Sequence, residues 1–144
     1  MLNDQLREFA VLRHDPGPGV GRTTQPHLDW MFQLDDRLHT FATDLTDAFY
    51  SKQVIVLEAI ELPPHRLDYL TIRGDLDRGL GRLTEVASGS YDLIEQQKDS
   101  FIAAIYGQHN RGGFHATCRF CCIRSQKSGM SDRVRWHLEL TANY

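Results

Sequence analysis

A chain of 144 residues with 41% hydrophobic and 24% charged residues fits one domain, 1–144, with a core that needs no staples. A net charge of −3 gives no global basic signature for nucleic acid. No apolar run approaches a membrane span, and Met1-Leu2-Asn3-Asp4-Gln5 does not begin a signal peptide, so a cytoplasmic protein is expected, with no membrane partner and as a monomer.

Arg7 to Arg13 carries the short apolar run Phe9-Ala10-Val11-Leu12 and reads as a first strand, ended by the loop-forming Pro16-Gly17-Pro18-Gly19. His27 to Leu34 alternates strictly: Leu28, Trp30, Phe32 and Leu34 on one side, His27, Asp29, Met31 and Gln33 on the other. Asp35-Asp36 is a hairpin turn into a third strand, Arg37 to Thr43. Asp44 to Ser51 is polar and irregular, with room for one helical turn. Gln53 to Leu62 is the longest β-branched run, and Pro63-Pro64 is expected to stop it.

Beyond the glycine-spaced Gly74 to Gly81, short strands are expected at Leu83–Val86, Ser90–Ile94, Ser100–Tyr106, Phe114–Arg124 and Arg133–Leu140. Ser88-Gly89, Lys98-Asp99, Gly112-Gly113 and Ser128-Gly129 supply the turns. Many short strands without a 3.6-residue period indicate an all-β protein, an antiparallel sandwich or barrel around one core that includes Trp30 and Trp136.

Three residues carry the chemistry. His27 and Asp29 project from one strand face about 7 Å apart, and His14 stands at the end of the preceding strand. Two imidazoles and a carboxylate suit Mn²⁺, Zn²⁺ or Fe²⁺ with positions left open, and a plain polar strand face is the alternative. His65, stiffened by the double proline and followed by Tyr69, could bind or protonate a phosphate oxygen. Cys118, Cys121 and Cys122 lie within five residues; alternation puts Cys118 and Cys122 on one face, as reduced thiols in a strand rather than a zinc site. From Gln108 onward six basic residues stand against two acidic ones, a phosphate-binding surface or a solvated face.

The ordered set Phe9-Ala10-Val11-Leu12-Arg13-His14-Asp15, His27-Leu28-Asp29-Trp30-Met31-Phe32-Gln33-Leu34, Leu38-His39-Thr40-Phe41-Ala42, Pro64-His65-Arg66-Leu67-Asp68-Tyr69 and Gly89-Ser90-Tyr91-Asp92 resembles the 3′-phosphoesterase domain of bacterial DNA ligase D and its stand-alone relatives. The resemblance covers residues 8–106. It implies a compact antiparallel β-barrel with short helical turns, and Mn²⁺ or another divalent transition metal held by His14, His27 and Asp29. It also implies that His65 and Tyr69 contact the scissile phosphate, and that the substrates are DNA 3′ ends carrying a ribonucleotide or phosphate. A separate ligase or polymerase would complete the repair.

This sequence departs from the family at three cations, with Met31, Leu45 and Gln53 in their places. Arg13, or Arg22 in a longer loop, is the candidate replacement for binding phosphate. Two rival readings stay open: a non-catalytic module that binds DNA ends or a repair partner, and a two-His-one-carboxylate Fe(II) enzyme.

Overall fold

The computed structural model describes residues 7–19, 25–46, 54–109, 112–123 and 135–143. They form nine strands: β1 Arg7–Asp15, β2 His27–Leu34, β3 Arg37–Thr43, β4 Ile55–Arg66, β5 Gly74–Leu76, β6 Gly81–Gln97, β7 Ser100–His109, β8 Gly112–Ile123 and β9 Arg135–Asn143. All pairings are antiparallel, in the order β1-β2-β3-β4-β9-β8-β7-β6, and a β1–β6 ladder returns the sheet to its start. The result is a closed eight-stranded barrel, as expected. The short β5 lies against the first residues of β6. Short 3-10 turns occur at Leu67–Leu70 and Asp77–Gly79.

The alternation in β2 explains the interior. Leu28, Trp30 and Phe32 point inward, where they meet Phe9, Phe41, Phe101, Phe120 and Trp136. Phe41 and Phe120 stack face to face, with centroids 4.0 Å apart and planes 11° from parallel. Eight strands leave an interior just wide enough for side chains, and here aromatic rings fill it. The indole N–H of Trp30 donates to Thr43 Oγ1 at 2.9 Å, and that of Trp136 donates to Glu61 Oε1 at 3.1 Å.

Three expectations need correction. The first is the turn at Ser88-Gly89: β6 runs unbroken through both residues, and Gly89 faces Gly107 of β7 in register. A Cβ on Gly89 would lie 2.1 Å from the Tyr106 carbonyl oxygen, and one on Gly107 2.2 Å from that of Ser88. Glycine serves close backbone approach there, not chain reversal. The second is the stop at Pro63-Pro64. Strand β4 continues to Arg66, because Thr40 pairs with Leu62 and Leu38 with His65, leaving both prolines opposite the single residue His39. Prolines in such a bulge remove no ladder hydrogen bond.

The third is the single core. A second apolar cluster lies outside the barrel, where Ala10, Leu12, Met31, Leu38 and Leu83 are covered by Leu67, Tyr69, Leu70, Ile72 and Leu76. The segment 67–80 thus forms a strap over the outer faces of β1 and β2. Of Asp44–Ser51, residues 44–46 carry no regular structure and the rest lies outside the described residues, as do Ser128-Gly129 and the start of the last expected strand. No helix among the described residues is long and apolar enough to cross a membrane.

Candidate metal centre

In the β1–β2 ladder His14 stands directly opposite His27, and Leu12 opposite Asp29. The inward parity of Val11, Leu28 and Trp30 sends His14, His27 and Asp29 to the outer face. One ligand-type atom from each lies within 4.8 Å of the others. The two imidazole centroids are 5.0 Å apart at 70°.

The Asp29 side chain is 9% accessible, and its Oδ1 is buried without a hydrogen-bond donor. His27 Nε2 lies 3.3 Å from that oxygen: the two pair when the imidazole is protonated, and in the neutral ring Nε2 has no hydrogen to donate to it. The Asp29 carboxylate raises the His27 pKa above its usual value, against the opposing effect of partial burial. A buried carboxylate oxygen lacking a donor is costly, and a cation would satisfy it.

Backbone carbonyls fix the rings. His14 Nε2 donates to the Leu80 carbonyl at 2.8 Å, and His27 Nδ1 to that of Gln25 at 3.2 Å. Carbonyls only accept, so each bonded nitrogen carries the proton. The lone pairs left for a ligand are on His14 Nδ1 and His27 Nε2. Outer partners of this kind orient metal-binding histidines. Leu80 is itself held by an interlock of two glycine-rich segments. Gly19 N–H donates to the Gly79 carbonyl at 2.7 Å, and a Cβ on Gly81 would fall 2.0 Å from the Asp15 carbonyl oxygen. Gly81 also takes φ 106°.

His65, at the end of β4, donates through Nδ1 to the Pro63 carbonyl at 2.9 Å and meets the Tyr69 ring edge-to-face, centroids 5.5 Å apart. Arg66 covers the Tyr69 ring at 5.8 Å. Two spaces adjoin His14, Asp29 and His65. One is an open cleft of about 590 Å³ that also touches His27, Asp44, Glu58 and Ile60. The other, about 110 Å³, is an aliphatic recess under the strap, bordered by Met31, Tyr69, Leu76 and Leu80.

The fold thus gathers His14, His27, Asp29, His65 and Tyr69. Arg13 lies elsewhere: its guanidinium engages Asp15 at 3.0–3.2 Å, and its parity turns it from the cleft. Arg22 and Gln53 lie outside the described residues. Met31 is buried in the outer cluster, and Leu45 is exposed. Sequence reasoning missed Asp44 and Glu58, whose isolated charges carried no motif, and the carbonyls of Gln25, Pro63 and Leu80.

The cysteines form no disulfide: Cys118 is buried, with its thiol pKa pushed up by burial, and Cys121 is exposed. Among the described residues, His14, His27 and Asp29 are the one such cluster of three or more metal-ligating side chains, and no cysteine belongs to it. Comparison of the chain with protein-family models and with curated proteins gives no match. Fold and site together define a closed antiparallel barrel with a His-His-Asp cluster on its outer wall.

Proposed function

We propose that this protein is a divalent-metal-dependent phosphoesterase acting on DNA 3′ ends, with His14, His27 and Asp29 as ligands of Mn²⁺ or a similar ion. The observation that carries the reading is the buried Asp29 Oδ1, which has no donor, beside two imidazoles each with one nitrogen tied to a carbonyl. Two nitrogens and one oxygen suit such ions and leave open positions. A bound ion would polarise a phosphate oxygen and lower the pKa of a water.

His65, with Nδ1 committed to Pro63, offers Nε2 for binding or protonating a phosphate oxygen. Tyr69 offers its hydroxyl from the strap. The described residues bordering both spaces include no Lys or Arg, so the charge of a phosphate there falls to His65 and the ion.

A second reading draws on the aliphatic recess. Leucines and Met31 beside two His and one Asp also suit a neutral substrate at an Fe(II) centre. One assay separates the readings: primers ending in a 3′-phosphate or a single 3′-ribonucleotide, incubated with and without Mn²⁺. The phosphoesterase reading expects Mn²⁺-dependent trimming that His14→Ala abolishes and His65→Ala lowers about 100-fold. DNA retarded on a gel without trimming would leave a non-catalytic DNA-end module. Absence of both, with Fe²⁺-dependent oxygen consumption, would favour the Fe(II) enzyme.

A further inference from the structure

Arg73 stands outside the metal-ligand cluster, and its guanidinium donates five hydrogen bonds. Nη1 donates to the carbonyls of Tyr69 at 3.2 Å and Ile72 at 2.7 Å, and Nη2 to that of Leu70 at 2.9 Å. Nε and Nη2 also donate to Glu85 Oε1 on β6, at 3.1 and 2.6 Å. Glu85 in turn accepts from Ser88 Oγ through its other oxygen at 3.1 Å.

The geometry has a plain cause. The 3-10 turn Leu67–Leu70 ends with carbonyls that have no helix to continue into, and a planar fork with five donors is the side chain that can satisfy several at once. The carboxylate of Glu85 anchors that fork to the barrel wall. The strap's far end has separate anchors, in the β5–β6 pairing and the glycine interlock that holds Leu80. Arg73 therefore governs the near end, which carries Tyr69 against His65, and not the far end, which orients His14.

We propose that Arg73, braced by Glu85, is the positioning residue of Tyr69 and, through their ring contact, of His65. The assignment of Tyr69 and His65 to the phosphate rests on the function proposed above. The positioning itself does not.

The test is a double-mutant cycle with a separate spectroscopic arm. Arg73→Ala is expected to slow Mn²⁺-dependent 3′-phosphate release roughly 10- to 100-fold, the scale of a misplacement of about 1 Å. In a Tyr69→Ala background the same change should add little. Co²⁺ affinity, followed by its visible spectrum, should stay within about twofold of wild type, since the ligands and the Leu80 anchor are untouched. The His65 ring-proton resonance should move in Arg73→Ala as it does in Tyr69→Ala.

Equal losses in both backgrounds, weakened Co²⁺ binding, or an unmoved His65 resonance would overturn the proposal. Each would mean that Arg73 serves the fold generally. If Arg73→Ala does not fold, Arg73→Lys and Glu85→Gln carry the same readouts. If wild type releases no phosphate, the phosphoesterase reading fails, and the His65 resonance still decides the positioning.

Discussion

Asp29→Asn should stabilise the metal-free protein and abolish its response to metal. The Asp29 Oδ1 atom is buried without a donor, a state that costs about 1–3 kcal/mol. Asn has the same shape without the charge. His27 Nδ1 gives its proton to the Gln25 carbonyl, so Nε2, 3.3 Å from Oδ1, carries a lone pair that an Asn amide could reach. A net gain of about 1–2 kcal/mol follows, or roughly 3–8 °C in Tm for a domain of this size.

For wild type, Mn²⁺ at about 100 times its Kd should add about 2.7 kcal/mol, and the Asn variant should lose that increment. The two melting curves should therefore exchange order between EDTA and Mn²⁺. The pH must be alkaline. The raised pKa of His27 means that its pairing with Asp29 stabilises the fold below the ordinary histidine pKa and fades as pH rises through the raised value. Differential scanning calorimetry in both buffers measures the effect. An Asn variant less stable than wild type in EDTA at high pH would refute the unsatisfied carboxylate, and equal Mn²⁺ shifts would refute Asp29 as a ligand.

Three further outcomes are expected. Gly107→Ala should cost about 3 kcal/mol in guanidinium unfolding, because its Cβ would meet the Ser88 carbonyl oxygen at 2.2 Å; Gly113→Ala, whose nearest neighbour is 3.4 Å away, should cost far less. His39, ringed by Phe41 and Phe101, has its pKa lowered from 6.5 by burial, with Glu61 opposing. Its contribution is complete above pH 6.5 and declines as pH falls through the lower folded value, so His39→Phe should flatten the stability profile between those limits. Parallel profiles would exclude His39 as the cause. His65→Ala should lower 3′-phosphate release about 100-fold while leaving the Mn²⁺ shift in Tm intact; loss of that shift would make His65 a ligand.

Period-two patterning made most of the barrel legible. Strands β2 and β3 begin and end where alternation and the Asp35-Asp36 turn place them, because both have one face in the aromatic interior. Glycine and proline misled where tertiary geometry overrides local preference. Gly89 reads as a turn until Gly107 is seen opposite it, and Pro63-Pro64 reads as a stop until the bulge beside His39 supplies a place for two missing donors. Histidine and aspartate types were visible in the candidate site, and their grouping followed from strand parity. The carbonyls of Leu80, Gln25 and Pro63 belong to any residue and leave no trace in a sequence. Arg73 was equally silent, since its partners are three carbonyls and a carboxylate twelve residues away.

Strand β2 serves both sides of one wall. Leu28, Trp30 and Phe32 build the interior, while His27, Asp29 and Met31 face the cleft and the strap. Removing one residue between His27 and Leu34 would exchange these sets, putting an aspartate among phenylalanines and an indole among the ligands. Evolution can therefore alter the chemistry of this face only by substitution in place. Insertions must accumulate in the connections on either side, and the long stretch between His14 and His27 is where this chain has room for them.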